Sequence, residues 1–247
     1  MTRRDYRGPD SRRIQKMFAG IAPRYDFLNH FLSISIDRHW RRVASAKVLD
    51  LVGTSPQLCL DACSGTGDLA IALHRCLKTQ VIAADFCHPM LIRATEKAAG
   101  GIRAIEADAL ELPFPNGCFD AVTMAFGLRN LENRSSGLNE IRRVLKAKGA
   151  IVLLEFSKPV VPVFRQAFEF YFSNVLPVIG SVVSGDSTAY RYLHDSVREF
   201  PDQEELLQMM RTAGFVNTGY RNLSGGIAAL HWGQAGSGWK INSVPGA

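Results

Sequence analysis

Residues 60–68 read LDACSGTGD, and this stretch decides how the rest of the chain is divided. A short apolar run, QLCLDA (57–62), turns through Gly65 and Gly67 into a helical segment reaching about residue 77. Glycines so placed let the backbone turn sharply and approach a ligand closely. The turn alone is a weak signal, because dinucleotide sites use a similar one. Two features favour another ligand. Asp61 sets a carboxylate ahead of the glycines, where a pyrophosphate would be repelled and a sulfonium or an amino-acid ammonium attracted. The spacing also lacks the third glycine of GxGxxG, with Ala70 in its place, though alanine is sometimes tolerated there.

Working outward, apolar runs alternate with helical segments. The spacing predicts strands at 57–62, 80–85, 102–108, 119–126 and 150–156, with helices between them, the last over 135–147. A helix near 201–214 and two strands, 216–223 and 227–232, follow around Ser224-Gly225-Gly226. This rhythm implies right-handed crossovers and a mainly parallel sheet covered on both faces. Residues 11–52 ahead of it read as helical, with Ile14, Met17, Phe18 and Ile21 on one face and a break at Pro23. Residues 160–200 interrupt it with a very apolar stretch.

The acids fall in register. Asp85 ends the second run, where a carboxylate can accept both ribose hydroxyls, and Asp108 ends the third, followed by Ala109. A carboxylate at Asp108 can accept from an adenine amino group while the Ala109 N–H donates to the ring. One acid at a strand end is more often a turn or helix cap; three beside a glycine turn line one crevice.

Composition narrows the setting. The five cysteines form no CxxC pair and no signal peptide is visible, so they read as reduced thiols in a cytoplasmic protein with no bound metal. The net charge of +6 is concentrated in Arg3, Arg4, Arg7, Arg12, Arg13, Lys16 and Arg24. A basic front can serve nucleic acid or an anionic membrane surface, or be simply a solvated terminus, and charge alone does not decide; nucleic acid, which only the charge supports, is not expected as a partner. The longest uncharged run, 170–185, is too short and too broken to span a membrane.

The three acids and the glycine turn together resemble the class I S-adenosylmethionine-dependent methyltransferases. That resemblance implies a Rossmann-like seven-stranded sheet whose last strand is antiparallel. AFGLRN (125–130) has no Asn/Asp-Pro-Pro-aromatic motif, so an exocyclic amine acceptor loses ground. Neither Cys63 nor Cys118 stands where a cytosine-C5 nucleophile would. YDFLNHFLSISIDRHW (25–40) and RRVLKAKGAIVLLEFSKP (142–159) resemble the two signatures of the UbiE/MenG/COQ5 family of quinone-biosynthesis C-methyltransferases. LPFP, AYRYLHDSV, FPDQEEL and GGIAALHWG agree in family order, over roughly 14–234. Cys63, Ser64 and Ser35 stand where the family commonly has glycine, and Ala147-Lys148 where it has Pro-Gly.

The family implies S-adenosylmethionine held by Thr66, Asp85, Asp108 and Ala109, with Ala125 nearby, beside the Asp61, Gly65 and Gly67 already singled out. It implies methylation of a ring carbon of a polyprenyl demethylquinol. Naphthoquinol and benzoquinol enzymes share both signatures; demethylmenaquinol is the expected substrate, with dual or benzoquinol-specific activity as the alternative. Ring attack is eased by loss of the phenol proton and by a cation beside the phenolate. Candidates for that end are Arg129, Tyr25, Asp26, Asn29 and Asn130, with His194 a more remote base. Arg129 could instead form a salt bridge, Asp26 could cap a helix, and Tyr25 and Asn29 could pin the front helices. The division expected is 1–52 as basic segment and helical lid over the acceptor, 53–234 as methyltransferase domain, and 235–247 as tail. The stretch 164–183 is expected to wall a groove for the isoprenoid tail, or to serve as a buried helix or homodimer face. Peripheral contact with the inner face of the cell membrane, through that stretch and the arginine-rich front, is the corresponding expectation. An NAD-dependent oxidoreductase and a non-catalytic cofactor-binding assembly factor are the rival readings.

Overall fold

The computed structural model describes residues 8–26, 35–160 and 188–236. Asn29 and the stretch 164–183 therefore lie outside the described residues.

The front carries helix α1 (Ser11–Ile21), a 3-10 turn (Ala22–Arg24) and helix α2 (Ile36–Val52). The alternation follows as β1 (Leu58–Ala62), α3 (Asp68–Leu77), β2 (Gln80–Asp85), α4 (His88–Ala98), β3 (Ile102–Glu106) and β4 (Phe119–Ala125). Then come α5 (Arg134–Val144), β5 (Leu145–Phe156), α6 (Thr188–Arg198), α7 (Gln203–Thr212), β6 (Phe215–Leu223) and β7 (Ala228–Ala235). The strands form one seven-stranded sheet in the order β3-β2-β1-β4-β5-β7-β6. Strands β1 to β5 are parallel; β7 runs antiparallel to both β5 and β6.

Both faces of the sheet are covered, so its strands need apolar residues on both sides. Along β5, Ile151 and Leu153 pack towards α5 and α7 beside Leu138, Ile141 and Met210. Val152 and Leu154 point the other way, to Trp40, Ala44 and Val48 of α2 and Leu69 and Leu73 of α3. Such strands read as near-continuous apolar runs, which is why they were visible in the sequence. Three helices start where a side chain takes up orphan amides of the first turn: Asp10 accepts from Arg13 N at 2.9 Å, Asn133 from Ser136 N at 2.9 Å, and Asp202 forms a reciprocal capping box with Glu205.

Most boundaries differ from expectation by a residue or two and β7 runs on to Ala235; two further differences involve a turn or a left-handed backbone. Strand β3 stops at Glu106, and Asp108 lies beyond it in a turn whose Leu110 N–H it accepts at 2.8 Å. Helix α5 ends at Val144, and β5 begins at once with Leu145 pairing to Phe119 across a register shift. That shift contains Lys148 with φ +64°, a backbone conformation that suits glycine. Ser35 (φ +59°) and Cys63 (φ +52°) adopt it too. All three are positions where the resemblance noted above implies glycine.

Lys148 is exposed, so its replacement isolates the backbone effect. Lys148→Gly is expected to stabilise the protein by roughly 0.5–1 kcal/mol, since relief of the left-handed strain exceeds the entropy gained by the unfolded chain. Denaturant unfolding of Lys148→Gly beside Lys148→Ala checks this; an equal response from the two would show that the turn carries no such strain.

Candidate active site

The strand order reverses between β1 and β4, each of which neighbours the other at the centre of the sheet. Ligands of open α/β sheets bind beyond the carboxyl ends of strands at such a point. A cleft opens there, lined among others by Asp61, Gly65, Asp85, Asp108, Ala125 and Asn130.

The floor is carboxylate. Asp61 is buried near the end of β1; its Oδ1 accepts from the Thr123 hydroxyl at 2.7 Å. Its Oδ2 is buried with no partner at hydrogen-bonding geometry among the described residues. Burial pushes the Asp61 carboxyl up to about 7, eased only in part by the Thr123 hydroxyl, the Arg41 charge and the Ala70 amide. Asp85, the last residue of β2, accepts from Gly65 N at 2.8 Å and Cys87 N at 2.9 Å. Its carboxyl is pushed up to about 6 by burial, against the pull of those amides.

Shape comes from the glycines. Gly65 (φ +54°) and Gly67 (φ +79°) are left-handed, and a Cβ on Gly67 would sit 2.9 Å from the Ala94 Cβ, so β1 can meet α3 and α4 only without one. At Gly65 an added Cβ would meet, among the described residues, only Tyr25 Cε1, at 3.9 Å, so this backbone is open to the cleft. Gly127 brings the loop after β4 so close that an added Cβ would lie 2.5 Å from the Cβ of Cys63.

The front segment crosses the mouth of this cleft. Gly8 N and Ser11 N donate to the Glu132 carbonyl and carboxylate at 2.7 and 2.8 Å, in the loop after β4. Gln15 Nε2 donates to the Phe86 carbonyl at 2.5 Å, in the loop after β2. Tyr25 and Asp26 reach the glycine turn itself. The described part of the front segment thus straps the loops expected to hold the cofactor.

Asp26 is committed to this strap. It accepts a short hydrogen bond from the Thr66 hydroxyl and pairs with Lys97 Nζ at 2.8 Å. Lys97 also reaches Thr66 Oγ1 at 3.0 Å and Asp68 at 2.6 Å, and Asp68 faces Arg41 at 3.6 Å. The Thr66 hydroxyl is therefore engaged within the protein. Tyr25 lines the cleft, its ring edge-on to Phe18.

Arg129 does not line the cleft. It is buried, with Nη1 3.0 Å from Glu155 Oε2 and 2.5 Å from the Phe126 carbonyl, and its backbone N–H 3.2 Å from Glu155 Oε1. The salt-bridge alternative describes this placement, while the buried Nε of Arg129 has no hydrogen-bond partner among the described residues. Asn130 lines the cleft; its Oδ1 accepts from Tyr192 OH at 2.8 Å and its Nδ2 donates to the Phe126 carbonyl at 3.2 Å. His194 pairs with the neighbouring Asp195 at 3.0 Å.

Sequence reasoning passed over Glu155, Thr123, Lys97 and Tyr192. Glu155 stands near the end of β5, where the rule that picked out Asp61 and Asp85 would have found it. Thr123 is the hydroxyl in an otherwise apolar strand. Lys97 carries no local signal, and Tyr192 none beyond its place in AYRYLHDSV.

The donor set fits S-adenosylmethionine: a buried carboxylate oxygen lacking a partner suits a cationic ammonium, further carboxylates suit hydroxyl and amino donors, and the glycine backbone lies open beside them. Among the described residues no cluster of His, Cys, Asp or Glu could hold a metal.

Known proteins share this fold and sequence. The fold resembles a SAM-dependent methyltransferase from Thermotoga maritima, with a TM-score of 0.60 at 17% identity over 89% of this chain and 99% of that one. It also resembles phosphoethanolamine N-methyltransferase 2 of Haemonchus contortus, solved with S-adenosyl-L-methionine, with a TM-score of 0.58 at 13% identity over 78% of this chain and 52% of that one. At these identities the likeness is one of fold. Sequence relatives are nearer. The chain is 49% identical to the demethylmenaquinone methyltransferase of Deinococcus radiodurans, covering 90% of this chain and 92% of that protein. It is 48% identical to the Thermus thermophilus protein of the same name, over 88% and 99%. It is 44% identical to the ubiquinone/menaquinone biosynthesis C-methyltransferase UbiE of Geobacter sulfurreducens, over 91% and 89%. The model of the ubiE/COQ5 methyltransferase family matches residues 7–235, and the chain belongs to that family.

Proposed function

We propose that this chain carries out S-adenosylmethionine-dependent C-methylation of a polyprenyl demethylquinol, with demethylmenaquinol as its principal substrate. The observation that carries the reading is the buried Asp61 carboxylate, one oxygen without a partner, at the strand reversal beside a glycine turn. The preference for the naphthoquinol is supported by the names of the two relatives at 49% and 48% identity.

Asp61 would hold the amino-acid ammonium, Asp85 the ribose hydroxyls, and Asp108 with the Ala109 amide the adenine, while Gly65 and Gly67 leave room for the backbone to approach. Bound there, S-adenosylmethionine supplies a methyl group on a sulfonium, electrophilic enough for in-line displacement. The protein's own part is to align the acceptor carbon and exclude water. Tyr25 and Asn130, with Asn29 from the segment between α1 and α2, are the residues assigned to the acceptor. Thr66 and Asp26 hold the strap, Ala125 leaves space at the end of β4, and Arg129 holds the loop after it.

Contact with an anionic membrane surface is supported by the exposed Arg12, Arg13 and Lys16 on α1 and by a substrate that resides in lipid. Among the described residues no helix is long and apolar enough to cross a membrane. A site on the cytoplasmic side is supported by five unpaired cysteines.

The deciding experiment is mass spectrometry of quinones in a methyltransferase-deficient host carrying this gene. Demethylmenaquinone is expected to disappear; loss of only the demethylated ubiquinone precursor would reverse the substrate assignment. Asp61→Asn is expected to weaken S-adenosylmethionine and S-adenosylhomocysteine about equally, by roughly 10- to 100-fold in calorimetry, because both carry the ammonium and a charge-assisted hydrogen bond is lost. The sign with pH follows from the same group. Free Asp61 titrates at about 7, so below that pH binding a cation displaces a proton, and affinity rises as pH is raised towards 7. Asp61→Asn should flatten that rise. Vesicle sedimentation should depend on anionic lipid and fall when Arg12, Arg13 and Lys16 are replaced by glutamine; binding indifferent to lipid charge would refute the electrostatic contact.

A further inference from the structure

Phe126 is the most unusual residue of the cleft wall. It is large, not a glycine, and held at φ +57°. Bulky residues adopt this conformation only where the surroundings over-determine it. Here they do. Its N–H donates to the Leu154 carbonyl at 2.8 Å, so its start is fixed by β5. Its carbonyl accepts twice, from Arg129 Nη1 at 2.5 Å and Asn130 Nδ2 at 3.2 Å. Each donor is fixed in turn by a residue that does not itself line the cleft. Glu155 holds Arg129 at both backbone and guanidinium, and the Tyr192 hydroxyl donates to Asn130 Oδ1, which orients the amide so that its NH2 meets the carbonyl. The ring lies 4.7 Å from that of Phe156 and 6.2 Å from Trp40, with Arg129 at 5.9 Å over its face. It lines the cleft between Ala125 and Gly127, where the loop after β4 touches the glycine turn at Cys63.

We infer that Glu155 and Tyr192 are positioning residues for methyl transfer, acting through Arg129 and Asn130 to hold the left-handed turn at Phe126 and so the wall between cofactor and acceptor. The inference rests on the methyltransferase reading. Glu155 on β5 and Tyr192 on α6 act on one carbonyl through separate side chains. Removing either support frees the same turn, so removing the second afterwards should add little. Groups that act as a unit are non-additive in this way, whereas independent packing contributions multiply.

The test is a double-mutant cycle in kcat with reduced demethylquinone as acceptor, using Tyr192→Phe, which removes one hydroxyl, and Glu155→Gln, which keeps shape and removes charge. Each is expected to lower kcat about tenfold, with S-adenosylhomocysteine affinity in calorimetry within about twofold of wild type, and the pair to fall about tenfold, not about a hundredfold. Losses that multiply, a Tyr192→Phe variant with unchanged kcat, or a loss of cofactor affinity equal to the loss of kcat would overturn it. Should Glu155→Gln fail to fold, the Tyr192→Phe comparison of kcat with cofactor affinity decides alone. An inactive wild type overturns the functional reading and the positioning role with it; an active wild type with multiplying losses overturns only the latter.

Discussion

The site depends first on one carboxylate. Asp85 accepts from the Gly65 amide with one oxygen and from the Cys87 amide with the other, and so ties the turn after β1 to the turn after β2. With the Ser64 amide on the Ala84 carbonyl at 3.0 Å and the Gly67 amide on the Ser64 carbonyl at 2.9 Å, that tie holds the left-handed glycines to one of the several conformations open to them. Burial disfavours its charge, and the amides offset part of that, which leaves it an acceptor at neutral pH with lone pairs to spare. Asp61 is the counterpart: buried more completely, held by Thr123 on one oxygen, and short of a partner on the other. One carboxylate shapes the site and the other waits for positive charge.

Around these two the protein adds layers of decreasing burial. Lys97 sits at the solvent edge and gathers Asp26, Thr66 and Asp68 around a single ammonium, which fastens the front segment to the glycine turn. At the other end of α1, Glu132 holds Gly8 and Ser11. These bonds are few and partly exposed, the kind that open before a core does. The pair of Arg129 and Glu155 is the opposite case, buried and covered by the rings of Phe126 and Phe156. Removing one partner there would leave a charge without compensation, so such a pair serves geometry and resists change.

Much of the fold was legible because a sheet covered on both faces writes itself as apolar runs, and β2 has the bounds expected, Gln80–Asp85. Two misjudged boundaries, at Asp108 and before Ala150, lie where a turn residue or a left-handed backbone interrupts the strand pattern. In the site, Asp61, Asp85 and Ala109 could be found from their place after apolar runs. What the sequence withheld is who neutralises whom. An arginine after the fourth strand reads equally as a cation for a substrate or as half of an ion pair. Only the fold brings Glu155 to it from 26 positions away. The same holds for Asp26, which becomes part of a fastening once Lys97 approaches from 71 positions further along. The Tyr192 contact spans 62 positions and leaves no local trace.

The position of β7 has a consequence for how the chain assembles. Residues 228–235 follow β6 in sequence but lie between β5 and β6 in the sheet. Until they arrive, β5 presents an open edge of Ala150, Ile151, Val152, Leu153 and Leu154, an apolar row with unpaired amides and carbonyls, and β6 has no neighbour. Exposed edges of that kind pair with other chains. The growing polypeptide therefore carries an adhesive edge through synthesis, and the strand that conceals it comes after every other described element of the sheet. Long-range pairing of this sort is slow to form, which makes the interval between the emergence of β5 and the docking of β7 the period of greatest risk.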